Sequence, residues 1–184
     1  MKVSIQNARL AFANIWHAKT VNGEGDPAYS ATLILDPEAN ALDIKRLDAA
    51  IEAVARDKWS SKADSVLKAI RAKGHVCLRD GDDKSEYDGF EGKQYVSTRS
   101  KQRPTVVDRN KVALTEDDGR PYSGCFVNAI VEIWAQDNQF GKRINAQISG
   151  LQFVRDGDAF GGGQPASADE FDDLGEDDLE AQFG

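Results

Sequence analysis

The amino-acid sequence predicts a mainly β fold with inserted helices (α+β), a small barrel followed by a disordered acidic tail. Three observations predict it. Short runs in which apolar and polar residues alternate, the mark of half-buried strands, occupy both ends of residues 1–155. A single block with helical spacing interrupts them, over about residues 37–73. Charge also divides along the chain: of 31 acidic and 23 basic residues, ten acidic and no basic ones fall in residues 156–184. The formal net charge of −8 therefore combines a slightly basic body with a strongly acidic end.

The elements follow in order. Val3–Gln6 alternates as a first strand, and Ser30–Leu35 reads as a second, more buried one. Asn22 to Pro27 lies between them as a loop, on its turn residues. Asp36-Pro37 opens a helix, with Asp36 as cap and Pro37 at the first helical position. Leu47, Ile51 and Val54 carry its apolar face towards Trp59, the surest core tryptophan. A second helix covers Lys62 to Lys73, with Val66, Leu67 and Ile70 inward and Gly74 as its stop. Strands return with His75–Arg79, and Asp80 to Gly92 forms a polar loop. Lys93–Arg99, Thr105–Asp108 and Lys111–Thr115 are further short strands, and Glu116–Gly119 is a turn. Phe126–Ala135 is the longest apolar run and so a central strand. It turns at Asp137–Lys142 into Arg143–Val154. Residues 1–155 thus read as one domain, 156–168, with three consecutive glycines, as a flexible linker, and 169–184 as an acidic tail.

Composition excludes several function classes. With 40% hydrophobic and 29% charged residues the chain is globular. No stretch approaches the ~20 apolar residues of a membrane helix, and MKVSIQNARL lacks the apolar run of a secretory signal. Cys77, Cys125, His17 and His75 are too few for a disulfide framework or a Cys/His zinc site, so no metal or cofactor is expected. Each histidine reads as structural. A reducing cytoplasm is the expected compartment.

The most informative stretch is Lys93 to Pro104. Lys93, Tyr95, Arg99, Lys101 and Arg103 all fall at odd positions, which on a regular strand share one face. Cations interleaved with an aromatic ring suit a single strand of nucleic acid: the cations neutralise phosphates and the ring stacks a base of any identity. Phe140, Lys142 and Arg143 repeat the theme at the later hairpin. Trp134 ends the central strand and could serve as a base platform, but a core role is the favoured reading.

Two metal readings compete with this. Asp80 to Glu91 has the length of a calcium loop, but Lys84 occupies a ligand position and Ser85 stands where the sharp turn needs glycine. Asp80, Glu91 and Lys93 have the outline of a metal-dependent nuclease, although Glu-x-Lys is short and sits between glycines in a loop. The tail mixes Phe171, Leu174, Leu179 and Phe183 with its carboxylates. That suits a basic-rimmed apolar pocket on a partner, or mimicry of DNA in the protein's own groove. A third reading of the chain is an acidic DNA mimic that occupies a host protein.

Tyr87-x-Gly89-x-x-Gly92-Lys93-x-Tyr95, Arg103-Pro104-x-Val106-Val107-Asp108, Tyr122-Ser123-Gly124-Cys125-Phe126-Val127-Asn128-Ala129 and Gly150 to Gly157 together resemble the single-stranded DNA-binding proteins of tailed bacteriophages. The similarity covers most of residues 1–160. It implies an OB-fold core with added helices. It also implies a non-enzymatic, sequence-tolerant binder of single-stranded DNA in phage replication or recombination, in the host bacterial cytoplasm, with replication or recombination proteins recruited by the tail. On this reading Tyr95, Tyr122 and Phe140 stack bases, and Lys93, Arg99, Lys101, Arg103, Lys142 and Arg143 meet phosphates. The tails of other replication single-strand binders commonly finish on an aromatic residue, whereas here Gly184 follows Phe183.

Overall fold

The computed structural model describes residues 1–21, 23–160 and 168–175. Among them are seven strands and two α-helices: β1 (Lys2–Val21), β2 (Glu24–Leu35), α1 (Ala41–Trp59), α2 (Ala63–Ala72), β3 (Leu78–Asp80), β4 (Gln94–Ser100), β5 (Thr105–Val107), β6 (Phe126–Asn138) and β7 (Gly141–Arg155). Sheet order is β3-β4-β2-β1-β6-β7-β5, and β4 also pairs with β7 in parallel at Arg99 and Gln147. That last pairing closes β4, β2, β1, β6 and β7 into a five-stranded barrel. β3 and β5 lie outside the ring. Closure removes the unpaired edges that an open sheet would expose.

The barrel follows from strand parity. On β6, Val127, Ala129, Val131 and Ile133 point inward; on β7, Ile144, Ala146 and Ile148 do. They join Leu10, Ile15, Leu33, Leu35 and Val96 in one core. β1, 20 residues long, serves two neighbours and bends as it passes between them. Its pairing slips between Ile5 and Ala8 and again between Ala11 and Asn14, and Asn7 and Phe12 adopt positive φ at those two bulges.

Four local expectations are corrected. The loop at 22–27 is far shorter, because β1 and β2 stay paired out to Val21 and Glu24. Asp36 does not cap α1. Its carboxylate accepts the amides of Glu38 and Ala39 in a preceding turn, and the helix begins after Asn40. Lys111–Thr115 makes only a single bridge, Ala113 to Val107. And the start of the expected linker, 156–160, is pinned to the body. The Tyr122 hydroxyl donates to Asp156 Oδ1 at 2.6 Å, the Phe160 amide donates to the Ser123 carbonyl at 3.0 Å, and Arg9 Cζ lies 4.2 Å from the centre of the Phe160 ring. Gly124 and Gly157 permit this docking: a Cβ on Gly124 would stand 2.1 Å from the Asp158 carbonyl, and one on Gly157 2.2 Å from the Gly124 carbonyl. The rest of the linker (161–167), together with Leu179 and Phe183, lies outside the described residues.

The helices cover one side of the barrel, α1 against β1 and β6. Trp59 is buried there, and its indole Nε1 donates to Asp137 Oδ2 at 2.9 Å. That bond, followed by the Lys142 ammonium, holds the Asp137 carboxyl below its ordinary range. It also ties the helical insertion to the β6–β7 hairpin.

Candidate nucleic-acid interface

A groove of about 1180 Å³ crosses the seam where β4 and β7 close the barrel. Three structures build its walls. From β4 and the turn after it come Ser97, Arg99, Lys101 and Gln102; from β6, β7 and their turn come Trp134, Gln136, Phe140, Arg143, Asn145 and Gln147; from the start of β2 come Gly25 and Asp26. Arg79 of β3 also lines it. The outward residues arise from the same parity that builds the core. With 144, 146 and 148 buried on β7, Arg143, Asn145 and Gln147 must face out. With 127 to 133 buried at odd positions on β6, Trp134 and Gln136 must do the same.

Trp134 is 43% exposed and Phe140 80% exposed. Two large rings thus stand in one groove with four cations, Arg79, Arg99, Lys101 and Arg143. The acid among the lining residues, Asp26, is engaged: its carbonyl accepts from Arg99 at 2.9 Å, and its carboxylate lies 3.5 Å from the Lys101 ammonium. The positive field is felt at His75, whose main chain pairs with Ile144 on the groove floor. Desolvation, then the neighbouring Arg143, Lys73 and Arg79, depress its pKa and favour the neutral ring.

Of the residues expected at the site, Arg99, Lys101, Phe140 and Arg143 converge on this groove. Lys142 is exposed beside it, its ammonium 3.6 Å from Asp137. The others are elsewhere. Lys93 precedes β4 and pairs with Asp36 at 2.6 Å, a contact that with the turn amides holds Asp36 at about 2. Arg103 lies past the end of β4, with its guanidinium 5.0 Å from the centre of the Trp16 ring. Tyr122 is half-buried and hydrogen-bonded to Asp156, a bond that raises the phenol pKa.

Tyr95 is the chief correction. It is on the outward face, as its parity with Arg99 requires, yet only 2% of it is exposed. The 81–93 loop folds over it. The Phe90 ring meets it edge-on at 5.4 Å, and Arg79 and Lys84 each stand 5.6 Å from its centre. It belongs to a small satellite core with Ala11, Ile34 and Phe90, so no base can reach its face in this structure. Gly89 allows the loop to close, because a Cβ there would stand 2.7 Å from the Phe160 ring. Tyr95 and Gly89 of the 87–95 stretch therefore serve the fold, whereas Tyr87 stays 46% exposed.

Trp134 is the converse case, an expected core residue that is exposed. The signal was present in the sequence, since Trp134 shares parity with Asn128, Glu132 and Gln136 and opposes the apolar odd positions. Arg79 carried no such signal, because its position depends on β3 joining the barrel beside β4.

The nuclease residues do not assemble. The Asp80 carboxylate accepts the Asp82 amide, Lys93 is committed to Asp36, and Glu91 is exposed on the loop. Among the described residues, no three Asp, Glu, His or Cys side chains converge as metal donors. No helix among them is long and apolar enough to cross a membrane.

Comparison with known proteins settles the family. The model built on the ssDNA-binding protein of Enterobacter phage Enc34 matches residues 1–182. This chain belongs to that family. Protein p50 of Acyrthosiphon pisum secondary endosymbiont phage 1 is 46% identical over 176 residues, 95% of this chain and 94% of p50. Among solved structures, the Enc34 single-stranded DNA-binding protein in complex with ssDNA is 26% identical, with a TM-score of 0.77 over 87% of this chain and 89% of that one. The gp2.5 single-stranded DNA-binding protein of bacteriophage T7 shares the fold, with a TM-score of 0.56 at 14% identity over 94% of this chain and 97% of its own. The barrel is thus of the OB-like type found in phage single-strand binders.

Proposed function

We propose that this chain is a non-enzymatic, sequence-tolerant single-stranded DNA-binding protein that acts in phage replication or recombination in the host cytoplasm. The observation that carries the reading is the seam groove, which gathers two exposed rings and four cations on one surface. Rings stack bases without regard to identity, and cations neutralise the backbone. Trp134 and Phe140 take the stacking role, and Arg79, Arg99, Lys101 and Arg143 take the phosphates, with Lys142 adjacent. Titration with oligonucleotides of graded length, as DNA, RNA and duplex, tests it. Failure to bind single-stranded DNA would remove the proposal.

Salt gives a second check. If the groove neutralises about four phosphates, log affinity should fall against log salt with a slope near −3, at roughly 0.7 per phosphate on a single strand. A flat dependence would show that the four cations do not contact the backbone.

The acidic end acts in the same reading as a competitor and a recruiter. Eight of its carboxylates follow Phe160: Asp169, Glu170, Asp172, Asp173, Glu176, Asp177, Asp178 and Glu180. Being tethered to the body, they meet the groove at a high local concentration and oppose DNA phosphates there. Phe171, Leu174, Leu179 and Phe183 supply apolar anchors for replication or recombination partners. Because residues 156–160 belong to the body, the informative truncation ends at Phe160. It should tighten single-strand binding several-fold at low salt and less at high salt, where charge is screened. Weaker binding by the truncated chain would exclude competition by the tail.

A further inference from the structure

Beside the Trp134 ring lies a chain of side-chain amides whose direction is set by the backbone. The Phe140 main-chain N–H donates to Asn138 Oδ1 at 2.9 Å. A backbone N–H can only donate, so it identifies the Asn138 oxygen. Gln136 Nε2 donates to the same oxygen at 3.3 Å, and Gln136 Oε1 accepts from Asn145 Nδ2 at 3.0 Å. The chain ends at Asn145, whose Oδ1 has no hydrogen-bond partner among the described residues and whose Nδ2 keeps one hydrogen to spare. Asn145 lines the groove and stands directly opposite Trp134 in the β6–β7 ladder. Cβ atoms of directly opposed residues are about 4.5–5.5 Å apart.

We infer that Asn145 reads the Watson–Crick edge of the base stacked on Trp134, and so contributes to selection of single strands over duplex. The inference rests on the DNA-binding reading above. A free amide offers one acceptor and one donor side by side. Every base carries an adjacent donor and acceptor on its pairing edge: N6–H and N1 of adenine, N4–H and N3 of cytosine, N1–H and O6 of guanine, N3–H and O4 of thymine. The amide keeps this order, and a base can lay either face on the Trp134 ring, so a donor–acceptor pair in either sequence can be met. In a duplex the same edges are consumed by the opposite strand. Trp134 supplies contact area that is indifferent to base identity, and Asn145 adds an interaction available only when the base is unpaired. The amide chain behind it holds Asn145 in register with the ring.

The test is a cycle between protein and DNA. The wild-type chain and Asn145→Ala are titrated with a thymidine homopolymer and with the same length of N3-methylthymidine, which keeps the stacking face but blocks the pairing edge. The wild type should bind the methylated strand about three- to ten-fold more weakly, the range expected for one or two hydrogen bonds. Asn145→Ala should bind the two strands alike. Asn145→Val, a better strand former, repeats the measurement should the alanine variant fold poorly. Equal discrimination by wild type and variants, or none by the wild type, overturns the assignment while leaving the DNA-binding reading intact. No binding of the unmodified strand by the wild type removes both.

Discussion

Trp134→Ala should weaken binding of single-stranded DNA by about 1–3 kcal/mol, roughly 5- to 150-fold, the worth of one base-stacking platform. The ring is nearly half exposed, so its loss leaves no cavity in the barrel and the melting temperature should stay close to that of the parent. Trp134→Phe should retain most of the affinity, because a smaller ring still offers a π-face. Phe140→Ala should cost a similar amount. Trp134 and Phe140 occupy different positions on the hairpin, so the double variant should lose roughly the sum if each ring takes a separate base. Quenching of tryptophan fluorescence on titration gives an independent readout, and Trp134→Phe should remove most of it. A Trp134→Ala protein that melts normally and binds like the parent would mean that the strand does not cross β6.

Tyr95→Ala should act on the fold instead. Removing a fully buried ring costs about 3–5 kcal/mol when the surroundings relax only in part. For a chain of this size that is a fall in melting temperature on the order of 10 °C. The cavity would open beneath the 81–93 loop, between Phe90 and Ile34. Tyr95→Phe should melt within a few degrees of the parent, and its single-strand affinity should be unchanged. The desolvation that hides the ring also raises the phenol pKa. Alkaline titration should therefore ionise Tyr95 later than a free tyrosine. Normal melting for Tyr95→Ala with a large loss of DNA affinity would place the ring on the DNA path and require the loop to open on binding.

Particular residues show which conclusions sequence alone could reach. Parity along a strand depends on nothing but the alternation of side chains, so it sets Arg99 on one face and Val96 on the other, and it points Trp134 outward, against the core role expected for it. Spacing along a helix did the same for Leu67 and Ile70 of α2. The division of charge between body and acidic end, and the family, were also legible, because both are written in residue types and their order. Tertiary structure decided what covers what. Tyr95 and Arg99 share a face, and nothing local distinguishes them. The 81–93 loop, with Phe90 as its plug, buries one, while the other stays exposed with its guanidinium on the Asp26 carbonyl. Arg79 reaches the groove only because β3 adds to β4, and Arg143 meets Arg99 only because β7 closes the barrel against β4. Lys93 is drawn off by Asp36, 57 residues earlier. Sequence pattern reports the direction in which a side chain leaves its own strand. Whether that direction ends in solvent, in a groove or beneath another segment is set by long-range contacts, whose partners are brought together only when the whole chain folds.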